Sequence, residues 1–269
     1  MTTATATATT QRVTPIRVVL SEWIKLRTLR STLFSLLAAI AFVIGFSILV
    51  PAVIAAHWPP RDPRDVASFD PVGVSLVGGF FAQLAIGVLG VLLITGEYAT
   101  GMIRATLAAV PARLPVLWSK ALVYALTILG LMIPTCLVAF FIGQSILSSK
   151  HIETTFGQAG VARAVFGTAL YLAGIGLLGL GLGALIRNTA GAISTLFGLL
   201  FVVPIVVHFL PASWSDAIGK YLPGNAGSGI YSLHPDSTQL GPWTGYAVFL
   251  LYGVVALVLA AVGLVRRDA

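Results

Sequence analysis

Apolar residues in this chain come in long, unbroken runs, without the alternation of a half-buried strand. Six runs reach the roughly 20 residues that a helix needs to cross about 30 Å of hydrocarbon. They extend from Leu33 to Ala56, Val72 to Thr95, about Leu117 to Gly143, about Val161 to Ile186, Thr189 to Leu210 and Trp243 to Val265. Pro51 interrupts the first, and the first two carry no charge. Lys120 stands near the start of the third and Arg163 near the start of the fourth, where long cationic side chains can snorkel to the interface. Hydrocarbon offers no water to backbone N–H and C=O groups, so runs of this length predict helices rather than barrel strands. The short Arg187-Asn188 link predicts a hairpin between the fourth and fifth spans. The fold class expected is an all-α integral membrane bundle of six transmembrane helices over residues 33–265.

The segments between and before these runs add three further elements. Residues 1–13 open with a Thr/Ala tract that has no apolar face, which reads as a disordered cytoplasmic tail. Thr14 followed by Pro15 reads as an N-cap with proline at the first helical position, opening an amphipathic helix over residues 14–32. On a 100° wheel Ile16, Val19, Leu20, Trp23 and Leu26 share one face, with Arg17, Ser21, Lys25 and Thr28 opposite. Such a helix lies in a membrane interface, and Arg27 and Arg30 then meet anionic headgroups. It reads either as a plain basic anchor or as an elbow that also touches a cytoplasmic partner.

The stretch from Gly96 to Lys120 is the longest link on that side. Pro111 and Pro115 bound an expected helix of about 13 residues starting near Glu97, with Ile103, Leu107 and Val110 at helical spacing. Glu97, Gly101, Arg104 and Ala108 line its other face. One reading is a helix that merely completes the turn; the other is a docking element, since antiparallel helices need only about 2 to 8 linking residues. Glu97 adjoins the end of the second span, where it must be paired or lose solvation. Arg104 is too far along the face for an ideal local pair, but both side chains can reach a third group. On the opposite side, residues 213–222 read as a helix with Ser213 as N-cap, and residues 222–230 as turns, together forming a re-entrant-like external segment before the sixth span.

Composition narrows the class. Hydrophobic residues make up 57% of the 269 residues and charged residues 9%, against about 25% charged in ordinary globular chains, which excludes a soluble enzyme. The net charge of +7 would suggest nucleic acid if the cations formed a patch. Instead, eleven of the sixteen Lys and Arg residues fall on the side of the two termini, including the cytoplasmic C-terminus 266–269. By the positive-inside rule both termini are cytoplasmic in a cell membrane, and no nucleic-acid partner is expected. The first span is too long, and too far from the start, for a cleaved signal peptide. Cys136 is the single cysteine, so no disulfide framework exists.

Catalytic chemistry is missing from the pattern. Gly219-Lys220 is followed by Tyr221 and is no P-loop, the four histidines are dispersed, and no metal site is expected. No acid lies at mid-span, where an ion-coupled carrier keeps one. The mid-span polar residues Gln83, Thr127, Thr135, Ser194 and Thr195 are neutral; they serve helix packing or, with Phe80 and Phe81 as an aromatic wall, face a substrate path. Glycines 174, 176, 179, 181 and 183 suit close approach of a neighbouring helix in the same subunit or in a second one.

Two stretches carry a resemblance: EWIKLRTLR at residues 22–30 and EYATGMIRATLAAVPAR at residues 97–113. They resemble the permeases of ATP-binding cassette transporters of the type-2 export family, especially the small actinobacterial ones. The resemblance implies an exporter subunit that forms the substrate pathway and is not itself an enzyme. It implies a separate ATPase polypeptide that binds ATP and Mg, so no cofactor on this chain, and a second permease copy in a homo- or heterodimer. It further implies a coupling helix whose motif falls on Glu97, Tyr98, Gly101, Ile103, Arg104, Thr106, Pro111 and Arg113. A secondary carrier or channel without an ATPase, and a membrane receptor or enzyme subunit, are the competing classes.

Overall fold

The structure, a computed structural model, describes residues 14–60, 62, 64, 66, 68–102, 113–233 and 239–266. Helix α1 runs Pro15–Thr28 and α2 Arg30–Ala56, separated only by Leu29, whose extended backbone turns the chain. Next come α3 (Pro71–Ala99), α4 (Arg113–Leu147), α5 (Val161–Ile186), α6 (Thr189–His208), the short α7 (Ala212–Gly219) and α8 (Pro223–Ser228), and α9 (Pro242–Arg266). Among the described residues α2, α3, α4, α5, α6 and α9 are long and apolar enough to cross a membrane, the architecture of a multi-pass membrane protein.

Local chemistry sets the boundaries. Asp70 begins α3 by accepting the backbone N–H groups of Val72 and Gly73 at 2.9 and 3.0 Å, with Pro71 at the first helical position. Gly160 and Arg187, both left-handed with φ of 86° and 58°, close the two ends of α5. Asn188 then caps α6 through Gly191 N at 2.8 Å, which makes the expected hairpin. Within α6, residues Gly198–Val202 widen into a π-helical turn just before Pro204. The wider turn accommodates a residue that has no N–H to donate and whose ring would clash one turn back.

Two sequence expectations are corrected at the Gly96–Lys120 link. Glu97 and Tyr98 form the last turn of α3 rather than the start of a separate helix, and the break comes at Gly101, whose φ of 71° is open to a residue without a Cβ. Pro115 lies inside the first turn of α4, where a proline costs little. α4 is accordingly 35 residues long, about 50 Å at 1.5 Å per residue, longer than the roughly 30 Å of a bilayer's hydrocarbon.

α5 is the most enclosed helix, packed against α3, α4, α6 and α9. Its glycines explain this. A Cβ on Gly179 would fall 2.3 Å from the carbonyl oxygen of Gly87, and one on Gly90 would fall 2.2 Å from that of Gly176, so α3 and α5 touch backbone to backbone. On the other side Gly174 admits the ring of Phe249, and Gly181 admits Ala256 and Leu257. The neighbours are therefore helices of the same subunit.

Side-chain bonds sort the helix ends into two levels. At one level Gln144 of α4 donates to Pro71 O (2.9 Å) and Ser75 Oγ (3.0 Å) and accepts from Thr154 N (2.7 Å). Arg163 there does not snorkel. It donates to the carbonyl oxygens of Gly229, Ile230 and Ser232 at 2.8 to 2.9 Å, pinning the segment after α8 to the start of α5. The helix expected from Ser213 starts at Ala212 without a side-chain cap, and residues expected as turns form α8, with Pro223, Ala226 and Gly227 buried. The opposite level carries α1 and the site described next.

Candidate functional site

α1 meets the bundle along Val18, Glu22 and Leu26, which recur every four residues on one face. Ile16, Leu20, Trp23 and Ile24 are exposed on the other side. An acid in the middle of the buried stripe requires partners, and three other helix-end residues converge with it. Lys25, one turn along α1, donates to Glu22 Oε1 at 2.7 Å and to Glu97 Oε1 at 3.1 Å. Lys120, in the second turn of α4, donates to Glu97 Oε1 at 2.9 Å and to Glu22 Oε2. Glu22, Lys120 and Glu97 are only 3%, 5% and 7% exposed. Two carboxylates and two ammoniums thus form a neutral, nearly dry ring that joins α1, the end of α3 and the start of α4.

The electrostatics follow from the pairing. Burial disfavours the charged form of Lys25, but the Glu22 and Glu97 carboxylates outweigh it and hold its ammonium above the ordinary lysine value of 10.5. A raised lysine pKa means that Lys25's own share of the ring's stabilisation is present in full below that ordinary value and is lost as pH climbs through the raised one. One acceptor is left over. Among the described residues Glu97 Oε2 is buried without a hydrogen-bond partner, although both lysines converge on Oε1. Beside the ring opens a cavity of about 440 Å³, lined by Glu22, Lys25, Glu97 and Lys120 and by apolar walls that include Leu89, Leu92, Leu93 and Val123.

Next to the ring, Arg187 lies 5.3 Å over the ring of Tyr98 and donates to Gly263 O at 3.0 Å. This links the end of α3 to the α5–α6 turn and the end of α9. Of the residues expected in a docking motif, the structure places Glu97, Tyr98 and Gly101 together at the end of α3, and Arg113 begins α4. Ile103, Arg104, Thr106 and Pro111 lie outside the described residues. On α1, Arg17, Arg27 and, just beyond it, Arg30 are exposed, and Trp23 is exposed among apolar neighbours. Lys25, expected on the solvated face, turns instead toward the two carboxylates because each offers it a charge-assisted contact, beside the two they give Lys120. Lys120 likewise does not snorkel.

Sequence reasoning touched Glu22 only as the first residue of the stretch 22–30 and Lys120 only as a cation near the start of a span. The available signal was positional: Glu22 stands four residues from both Val18 and Leu26, and Glu97 demanded a counter-charge.

The candidate pathway residues divide into groups. Phe80 lines a second cavity of about 240 Å³ with Thr168, Tyr171 and Tyr231. Phe81 stacks on Phe46 at 4.1 Å. Gln83 is buried and accepts from Tyr171 at 2.8 Å. Thr127 and Thr135 donate to carbonyls of their own helix at 2.7 Å. Ser194 and Thr195 are exposed on α6. None of these last four lines the Phe80 cavity. No protein-family model matches this chain, and no curated protein matches it.

Proposed function

We propose that this chain is the membrane-spanning permease subunit of an ATP-driven exporter of the type-2 ABC kind, working as a dimer of permeases on a separate pair of ATPase subunits. In this reading it lies in the cytoplasmic membrane with both termini inside, α1 rests in the inner interface, and α7–α8 face the exterior. The observation that carries the proposal is the buried ring of Glu22, Lys25, Glu97 and Lys120. Residues 103–112, which contain four of the eight motif residues resembling a coupling helix, connect the end of α3, just past Glu97, to the start of α4, two turns before Lys120. A push on that segment therefore acts on two helix ends already bolted to each other and to α1.

A buried ion pair stabilises little relative to apolar side chains of the same volume, but removing one partner costs about 3 to 5 kcal/mol. The ring is thus better suited to holding three helices in one register than to adding stability. Closure of the ATPase dimer would shift the bundle between inward and outward states only through contacts that differ between those states. This chain hydrolyses nothing.

The test is purification in mild detergent with Arg104→Glu as the variant. The wild type is expected to bring a P-loop polypeptide with it at equal stoichiometry. Arg104→Glu is expected to lose that partner, or its transport-coupled ATP turnover, with an unchanged melting temperature. A chain that purifies alone from exporting cells, with crosslinkers at position 104 capturing no ATPase, refutes the reading.

A further inference from the structure

We infer that the cavity beside the charged ring is a binding site for a membrane lipid with a primary-ammonium headgroup. Its size suits a ligand: about 440 Å³ lies within the roughly 300 to 1,000 Å³ of sites that hold drug-sized molecules. Its lining is divided. Leu26, Leu89, Leu92, Leu93 and Val123 provide apolar walls, and the ionised groups gather in the same cavity.

The hydrogen-bond inventory says what the headgroup must supply. Lys25 and Lys120 take both oxygens of Glu22 and the Oε1 of Glu97, whereas Glu97 Oε2 is left buried and unpartnered among the described residues. An orphaned carboxylate oxygen in a dry site is costly, and the group that relieves it is a donor, best a charged one, because charge-assisted bonds are about twice as strong as neutral ones. A quaternary ammonium has no N–H to give, and an anionic headgroup brings like charge.

The way in points to the bilayer as the source. Leu29 and Met102, which line the cavity, are about half exposed, and the exposed apolar face continues along α2 through Leu33, Phe34 and Leu37. A lipid whose chains lie along α2 can thus place its head beside Glu97. Unlike the ATPase reading, this site needs only the bundle.

The experiment is native mass spectrometry of the full chain in a nonionic detergent, offered equal amounts of dioleoyl phosphatidylethanolamine, phosphatidylcholine and phosphatidylglycerol. Phosphatidylethanolamine is expected to be retained about fivefold or more over the other two, the margin between a charge-assisted and an ordinary hydrogen bond. Leu92→Trp, which fills the cavity from its apolar wall and leaves all four ring residues in place, is expected to abolish that retention while the helical circular dichroism is kept. Glu97→Gln is expected to erase the preference over phosphatidylcholine. Equal retention of the three lipids, or undiminished phosphatidylethanolamine on Leu92→Trp, overturns the proposal. Capture of decylamine in place of phosphatidylethanolamine overturns the lipid as occupant.

Discussion

Lys120 and Lys25 touch the same two carboxylates, yet they are not equivalent. The Lys120 side chain is 6% exposed and that of Lys25 27%, so water can replace Lys25 in part but not Lys120. Lys120→Met leaves a buried carboxylate pair held by one lysine, and the expected loss is about 3 to 5 kcal/mol, the usual result of stripping one partner from a buried ion pair. Lys25→Met is expected to cost clearly less, since exposed pairs are worth about 1 kcal/mol or below. Melting in detergent orders the two variants. Equal losses, or a greater loss for Lys25→Met, would mean that the ring is wetter than its burial implies. This pairing was only half legible in the sequence. Glu97 at the end of an apolar run announced the need for a counter-charge, but its partners come from positions 72 residues before and 23 after it. No local pattern links residues so far apart.

At the scale of helices, legibility depended on what ends each one. α5 has the bounds read from the sequence because left-handed residues, Gly160 and Arg187, close it at both ends. α4 overran its expected bounds at both ends, and at its start the reason is that Pro115 sits in the first turn, where a proline does not break a helix. The glycine spacing of α5 told that some backbone comes close but not which one; that is a property of the whole bundle. The contacts now separate glycines that look alike in sequence. Gly179→Val is expected to force α3 and α5 apart, since its Cβ would sit 2.3 Å from Gly87 O, with a cost at or above the 1 to 3 kcal/mol typical of an overpacked core. Gly45, in α2, has nothing within 4 Å of a Cβ, so Gly45→Ala should be neutral or gain up to about 1 kcal/mol of helix propensity. Thermal melts of the two proteins check the contrast, and a well-tolerated Gly179→Val would show that the crossing is looser than this.

For the whole molecule, contacts assign helix ends to two levels, and the proposed function requires the α1 level to face the cytoplasm. Glu97, Lys120, Arg187 and Gly263 belong to the level of α1, whereas Gln144, Arg163 and the segment after α8 belong to the other. In the sequence eleven of the sixteen cations fall in the segments on the side of the termini, and on the positive-inside rule the proposed reading takes the α1 level as the cytoplasmic one. Two exposed positions report on this. Thr100 follows α3 on the α1 level, and Ser149 follows α4 on the other. Cys136 is buried in α4 and can be replaced by alanine to leave a cysteine-free background. An impermeant maleimide applied to intact cells is expected to label Ser149→Cys and to reach Thr100→Cys only after lysis. The reverse pattern would place residues 103–112 outside, where no ATP-driven partner could reach them, and the transport reading would fall. The lipid site would survive that result with its leaflet changed, because its argument rests on an unpaired oxygen and a lined cavity and not on which side faces the cell.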